Sequence, residues 1–255
     1  MSTLKVNQIR GKIQSMFEPH LDIKDINPND SERDQKILSR CLAAFAVYLT
    51  AGCTEKEASE SVWDGADDNG IDAAFFDASE KRVIFVQSKW INKGAGEPEA
   101  KDLSAFVKGV RDSIEQDPTN FHNRLQARFS DISLRLSNPG TSVELVIVST
   151  GASTLARHGS AVLDDFIDEL NGDDPDAIAS KSVIGLAEVY SGLANDLSQS
   201  NVEVDATILE WSYVPSPYPA YFGLIDGLSL KETLIKATLP GFFVREAATP
   251  KFASS

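Results

Sequence analysis

GIDAAFFDASEKRVIFVQSKW, residues 70–90, reads as two strands joined through Ala78-Ser79-Glu80, both arms rich in β-branched, aromatic and small residues. Side chains alternate along a strand. Val83, Phe85, Gln87 and Lys89 therefore share one face, and Ile84, Val86, Ser88 and Trp90 the other. In the first arm Asp72 lies on the side of Ala74 and Phe76. An antiparallel hairpin would bring Asp72 and the Gln87/Lys89 end together at one edge of the sheet, where the apolar run stops. A carboxylate and an amide oxygen there suit a hard, oxygen-seeking ion such as Mg2+, with Mn2+ as a substitute. An ammonium beside them would orient a nucleophile or neutralise charge on a phosphate. The plainer reading is that Lys89 snorkels at a strand end and Asp72 caps a turn.

Around this hairpin the pattern alternates between helical and strand periods. Ile9, Ile13 and Phe17 recur every four residues, which predicts an amphipathic helix over 4–17. Leu38, Leu42, Phe45 and Leu49 form a longer stripe that ends at Gly52, a C-terminal cap. Thr54 and Glu57 are spaced as a capping box for a third helix running to Trp63. Pro98 opens a helix carrying Leu103, Phe106, Val110 and Ile114, and Phe121 to Leu136 is helical again. VELVIVST, residues 143–150, is a buried strand. Helices are expected near 153–170 and 182–197, a long strand over 202–214, and a strand-helix unit after the Pro-rich segment SPYPA. The sum is an α/β fold: a mixed β-sheet core flanked by helices, with extra N-terminal helices.

Apolar residues make up 42% of the 255, enough for a real core and too many for a disordered chain. No window approaches the ~18 uninterrupted apolar residues of a membrane span. The opening MSTLKVNQIRGK lacks the apolar run of a signal peptide. Two cysteines, Cys41 and Cys53, are too few for a disulfide framework. Together these lead us to expect a cytoplasmic protein with no membrane partner.

The net charge of −14 speaks against a nucleic-acid partner, but its distribution does not. Residues 81–135 hold 10 Lys+Arg against 7 Asp+Glu, whereas the remainder holds 14 against 31. Arg124, Arg128 and Arg135 fall close to one helical face, as do Lys101 and Lys108. A solvated face is the default reading for each set, and phosphate contact the sharper one.

GID at 70–72 followed by QSK at 87–89 resembles the motif of the PD-(D/E)xK nuclease superfamily, in the variant with Gln in place of the second acid. The likeness extends from SRCLAAFAVYLTAGCTEKEASESVWDGADDNGIDAAFFD through VQSKW to the helix LSAFVKGVRD. Over roughly residues 31–225, and most strongly 38–115, the chain is similar to the N-terminal nuclease region of AIPR proteins, the abortive-infection phage-resistance proteins of bacteria. The resemblance implies a restriction-endonuclease-like fold, Mg2+ dependence and phosphodiester hydrolysis, with DNA the expected substrate. Carried over by motif, Asp72 is the metal-binding acid, Gln87 the second ligand position and Lys89 the catalytic lysine. Asp68 matches a recurring acid ahead of them, and the Ser88 backbone carbonyl is a further oxygen within reach of the ion. Superfamily members often add an acid from an early helix, for which Glu32, Asp34 and Glu57 are the candidates.

The neutral Gln87 departs from the usual acid and should weaken metal affinity. AIPR proteins also continue beyond their nuclease region, and YFGLIDGLSLKETLIKATLPGFFVRE looks like the start of that continuation. The expected domains are a helical extension over 1–30, a nuclease-like domain over 31–215 and a C-terminal extension over 216–255. A second copy of the chain, or a partner subunit with a basic domain, would offset the acidic charge. The reading from another class is a catalytically silent module that binds nucleic acid or a partner protein.

Other chemistries fit less well. With Gly70 at position six of a calcium loop, position one would be Gly65, which offers no side-chain ligand. Two Cys and three scattered His make a poor zinc set. Ser88 lacks the Gly-x-Ser-x-Gly elbow of a hydrolase. Trp63, Trp90 and Trp211 read as core or sheet-edge residues rather than stacking platforms.

Overall fold

The hairpin forms as the alternation requires. β1 (Ala73–Asp77) pairs antiparallel with β2 (Arg82–Lys89), Ala73 opposite Val86 and Asp77 opposite Arg82. The computed structural model describes residues 2–65, 68–173, 177–194, 208–214 and 220–225. β2 continues into a parallel pairing with β3 (Ser142–Ser149), in register from Arg82/Ser142 to Lys89/Ser149. β3 pairs parallel with β4 (Ala179–Ile184). The sheet order is β1-β2-β3-β4, one antiparallel edge on a parallel set. Parallel neighbours need long crossovers, commonly helical. α4 (Ala100–Ile114) and α5 (Gln126–Leu136) connect β2 to β3, and α6 (Arg157–Asn171) connects β3 to β4.

Both faces of the sheet are covered, which explains why β2 and β3 read as nearly continuous apolar runs. On one side Ala73, Ile84, Val86, Val146 and Val148 pack against Val6, Ile9, Ile13 and Phe17 of α1 (Ser2–Phe17) and against α2 (Arg33–Ala51). Val189 of α7 (Leu186–Ala194) joins this layer. On the other side Ala74, Val83, Phe85, Leu145 and Ile147 pack against Leu103, Phe106 and Val110 of α4, Phe129 and Ile132 of α5, and Leu163 and Phe166 of α6. Each large side chain buried here contributes about 1.5–3 kcal/mol. The architecture is α/β, a mixed four-stranded sheet between helices.

The predicted caps are present. Gly52 closes α2 in the left-handed conformation at φ 63°, donating its N–H to the Tyr48 carbonyl. Thr54 and Glu57 cap α3 (Glu55–Glu60) reciprocally. That helix stops at Glu60, short of Trp63, because Val62 bridges antiparallel to Ala73 and the chain is drawn alongside β1.

Three expectations are revised. α1 is no mere extension: Ile9, Ile13 and Phe17 are fully buried in the same core as α2. Residues 182–184, expected to open a helix, end β4 instead, with the helix starting at Leu186. The chain divides by internal contacts at Ala194/Asn195, inside the 31–215 span expected to form one domain. In the second unit, β5 (Ile208–Val214) and β6 (Ala220–Ile225) form an antiparallel pair. Residues 202–207, the helix expected after β6 and the Trp211 side chain lie outside the described residues. Among the described residues, no helix is long and apolar enough to cross a membrane.

Candidate metal centre

Continuing the hairpin register beyond Ala73/Val86 sets Asp72 across from Gln87. The Asp72 N–H donates to the Val86 carbonyl at 2.9 Å, so its side chain emerges where β1 begins. Its Oδ2 accepts from the Ser88 N–H at 2.5 Å and from Gln87 Nε2 at 3.0 Å, with Ser88 Oγ at 2.8 Å. Ser88 Oγ is also 3.0 Å from the Ser39 carbonyl of α2. Gln87 thus spends its amide N–H groups on Asp72 and on the Ser88 carbonyl at 3.3 Å. Its carbonyl oxygen is the atom left to face an ion.

The turn before β1 supplies two further acids. Trp63 and Asp64 both donate their N–H groups to the Asp72 carbonyl, at 2.7 and 3.0 Å, which lays the 62–64 segment beside Asp72. Asp68 closes the turn by accepting from the Gly65 and Gly70 N–H groups at 3.1 and 2.9 Å. One carboxylate oxygen from each of Asp64, Asp68 and Asp72 lies within 4.8 Å of the other two. Gly70, at φ 77°, is required here: a Cβ would come within 2.7 Å of the α4 backbone at Ala105 and Phe106. Gly109 makes the reciprocal concession, since its Cβ would meet the Asn69 carbonyl. The acidic turn is thereby seated directly on α4.

Burial pushes the Asp72 carboxyl well above its ordinary range, and the neighbouring Asp64 and Asp68 charges push it further; the Ser88 N–H acts against them. Asp68 is raised as well, chiefly by burial. Arg40 of α2, only 3% exposed, donates its Nε to Asp64 at 3.0 Å. Its other nitrogens hold Asp25 in a two-pronged pair at 2.7 Å and the Asp22 carbonyl at 2.8 Å.

Asp64, Asp68, Asp72, Gln87, Ser88 and Lys89 line one cavity of about 300 Å³ with Gln35 and Ser39 of α2 and Asp102 of α4. Lys89 Nζ pairs with Asp102 at 2.8 Å. Sequence reasoning weighed Asp64 only as part of a calcium loop and missed Asp102, Arg40 and Gln35 altogether. The capping-acid position of the first α4 turn was the one legible sign of Asp102.

The other candidates lie elsewhere. Glu57 is committed to Thr54, and Asp34 sits 3.5 Å from Arg10. Glu32 precedes α2 as its N-cap residue and does not line the cavity, so α2 contributes Gln35 rather than an acid. Arg124 donates to the Trp63 and Asp64 carbonyls at 2.9 and 2.8 Å, and Arg128 to that of Val62 at 2.5 Å. These arginines brace the acidic turn. Lys108 reaches Asn69 and Asp112, Lys101 pairs with Glu99, and Arg135 with Asp131. Trp63 and Trp90 are buried, as expected. Cys41 and Cys53 are free, and burial pushes both thiols up to about 12, so little thiolate exists at neutral pH.

No protein-family model, curated protein or solved structure compared with the chain matches it.

Proposed function

We propose that the chain is a metal-dependent nuclease that hydrolyses phosphodiester bonds, with DNA as substrate, and that its first unit is a restriction-endonuclease-like domain akin to the nuclease region of the AIPR phage-resistance proteins. The observation that carries this reading is the convergence of Asp64, Asp68 and Asp72 within 4.8 Å in a cavity shared with Gln87 and Lys89. Three carboxylates held that close, with Arg40 committed to Asp64 and Asp25, are an all-oxygen set that suits Mg2+ or Mn2+. A buried carboxyl with a raised pKa fits a site completed by a cation. When bound, such an ion supplies Lewis acidity toward a phosphate and acidifies a water.

The residues divide the remaining work. Asp72 is fixed by the Ser88 N–H and Gln87, so its second oxygen has one direction to face. Gln87 offers a neutral oxygen, and Asp64 and Asp68 supply the charge it lacks. Lys89, half-exposed at the cavity mouth, is placed to neutralise negative charge developing on a phosphate. Defence against phage is the setting that the motif resemblance implies.

Incubation of the purified protein with plasmid and with single-stranded DNA or RNA, in Mg2+, Mn2+ or chelator, tests the proposal. Cleavage that depends on the metal and disappears in Asp72→Asn is the expected result; absence of cleavage on every substrate would refute it. The silent-module reading draws on the net charge of −14 and on arginines turned inward to the acidic turn. Nucleic-acid binding without cleavage in any metal would favour it.

A further inference from the structure

Lys89 presents a physical puzzle inside the proposed site. A flexible ammonium lines the same cavity as three clustered carboxylates, yet among the described residues its ion pair is with Asp102. An ammonium that folded onto Asp64, Asp68 and Asp72 would neutralise part of their charge and occupy the place of a divalent ion. Asp102 stands where it can prevent this. It belongs to the first turn of α4, where the helix dipole favours a carboxylate, and its own N–H is tied to the Glu99 carbonyl at 2.9 Å. α4 in turn is fixed against the acidic turn by the close approaches at Gly70 and Gly109. Asp102 is therefore an anchor whose position relative to the cluster is set by backbone packing.

We propose that Asp102 is a positioning residue: it holds the Lys89 ammonium on the α4 side of the cavity, keeps it out of the three-carboxylate cluster, and so leaves the cluster open to a divalent cation. This rests on the metal-site reading above. It makes metal affinity depend on a residue that does not touch the metal, and only through Lys89.

A double-mutant cycle with Mn2+ alone, followed by titration calorimetry, tests the idea, with melting curves to show that each variant folds. Asp102→Asn should weaken Mn2+ binding about tenfold, a coupling within the range of residues sharing one ion-pair network. Lys89→Met should bind at least as tightly as wild type. Adding Asp102→Asn to Lys89→Met should then change affinity less than about twofold. Asp102→Glu, which keeps a carboxylate for Lys89, should restore most of the lost affinity. Wild-type affinity in Asp102→Asn would overturn the inference. So would an equal loss in the Lys89→Met background, because Asp102 would then act merely as a nearby negative charge. Absence of Mn2+ binding in the wild-type protein would remove the metal site itself, and the inference with it.

Discussion

Asp72→Asn separates the electrostatics of the proposed site from its packing. The new amide keeps an oxygen to accept from the Ser88 N–H, Gln87 Nε2 and Ser88 Oγ, which all converge on one carboxylate oxygen of Asp72, and its NH2 group takes the place of the other oxygen, so these three hydrogen bonds are kept. What disappears is a charge. Two unit charges at the 4.8 Å limit of the cluster repel by about 3.5 kcal/mol at an effective dielectric of about 20. Arg40 offsets Asp64, and protonation of Asp72 relieves part of the remainder. We therefore expect the substitution to stabilise the metal-free protein by about 1–3 kcal/mol near neutral pH. At about 2–4 °C per kcal/mol for a chain of this size, the melting temperature should rise by about 2–12 °C. The sign follows from linkage. A carboxyl raised in the folded state contributes stability that is full below its unfolded value, 3.8, and is lost as pH rises through the folded one. The wild-type advantage of acid pH should accordingly shrink in the variant. Mn2+ at about 100 times its Kd should stabilise wild type by about 2.7 kcal/mol and the variant far less. Calorimetric melting between pH 5 and 9, with Mn2+ or chelator, reads all of these. A lower metal-free melting temperature across that range, or an undiminished Mn2+ shift, would refute the reasoning.

Gln87→Glu should lower the metal-free melting temperature, because the amide donation to Asp72 becomes a repulsion, and should tighten Mn2+ binding; melting curves with and without the metal check both. Lys89→Met should leave the melting temperature within about 1 kcal/mol equivalent, since the pair it breaks is part-exposed, while cleavage of plasmid falls about 100-fold or more. Arg124→Ala, judged by calorimetry, should weaken Mn2+ binding by loosening the Asp64 backbone, and should leave the salt slope of nucleic-acid binding nearly unchanged. Mn2+ affinity should rise with pH as Asp72 and Asp68 give up their protons.

The parts of this fold that sequence reasoning reached are those governed by local rules. Gly52 must end α2 because it adopts a left-handed conformation after an apolar stripe, and the Thr54/Glu57 spacing is sufficient to define a cap. Alternation in β2 assigned Phe85 and Val86 to opposite cores, and the hairpin followed with Asp72 at Gln87. β4 escaped because ASKSVI is a polar edge strand, half-buried at three of its six positions, which carries neither an apolar run nor a clean period. α1 was misjudged as an extension because amphipathicity announces a buried face without saying which core receives it.

The site was legible only along the strand. Asp72, Gln87 and Lys89 are fixed by strand period and register, but Asp64 enters through backbone bonds from Trp63 and Asp64 to the Asp72 carbonyl and through Arg40, 24 positions away in sequence. No periodicity encodes such a contact. Its consequence is that the acidic turn and the neutral strand position belong to one charge balance. A glutamine at 87 removes a carboxylate from the strand, and the turn restores two, at the expense of burying like charges together. That expense requires Arg40 beneath Asp64 and Arg124 and Arg128 on the carbonyls of the 62–64 segment. Two of the basic residues that the charge distribution suggested for a phosphate backbone, Arg124 and Arg128, therefore hold the acidic turn in place. Any nucleic acid that reaches the cavity would meet Lys89 and the proposed ion as the local positive charges.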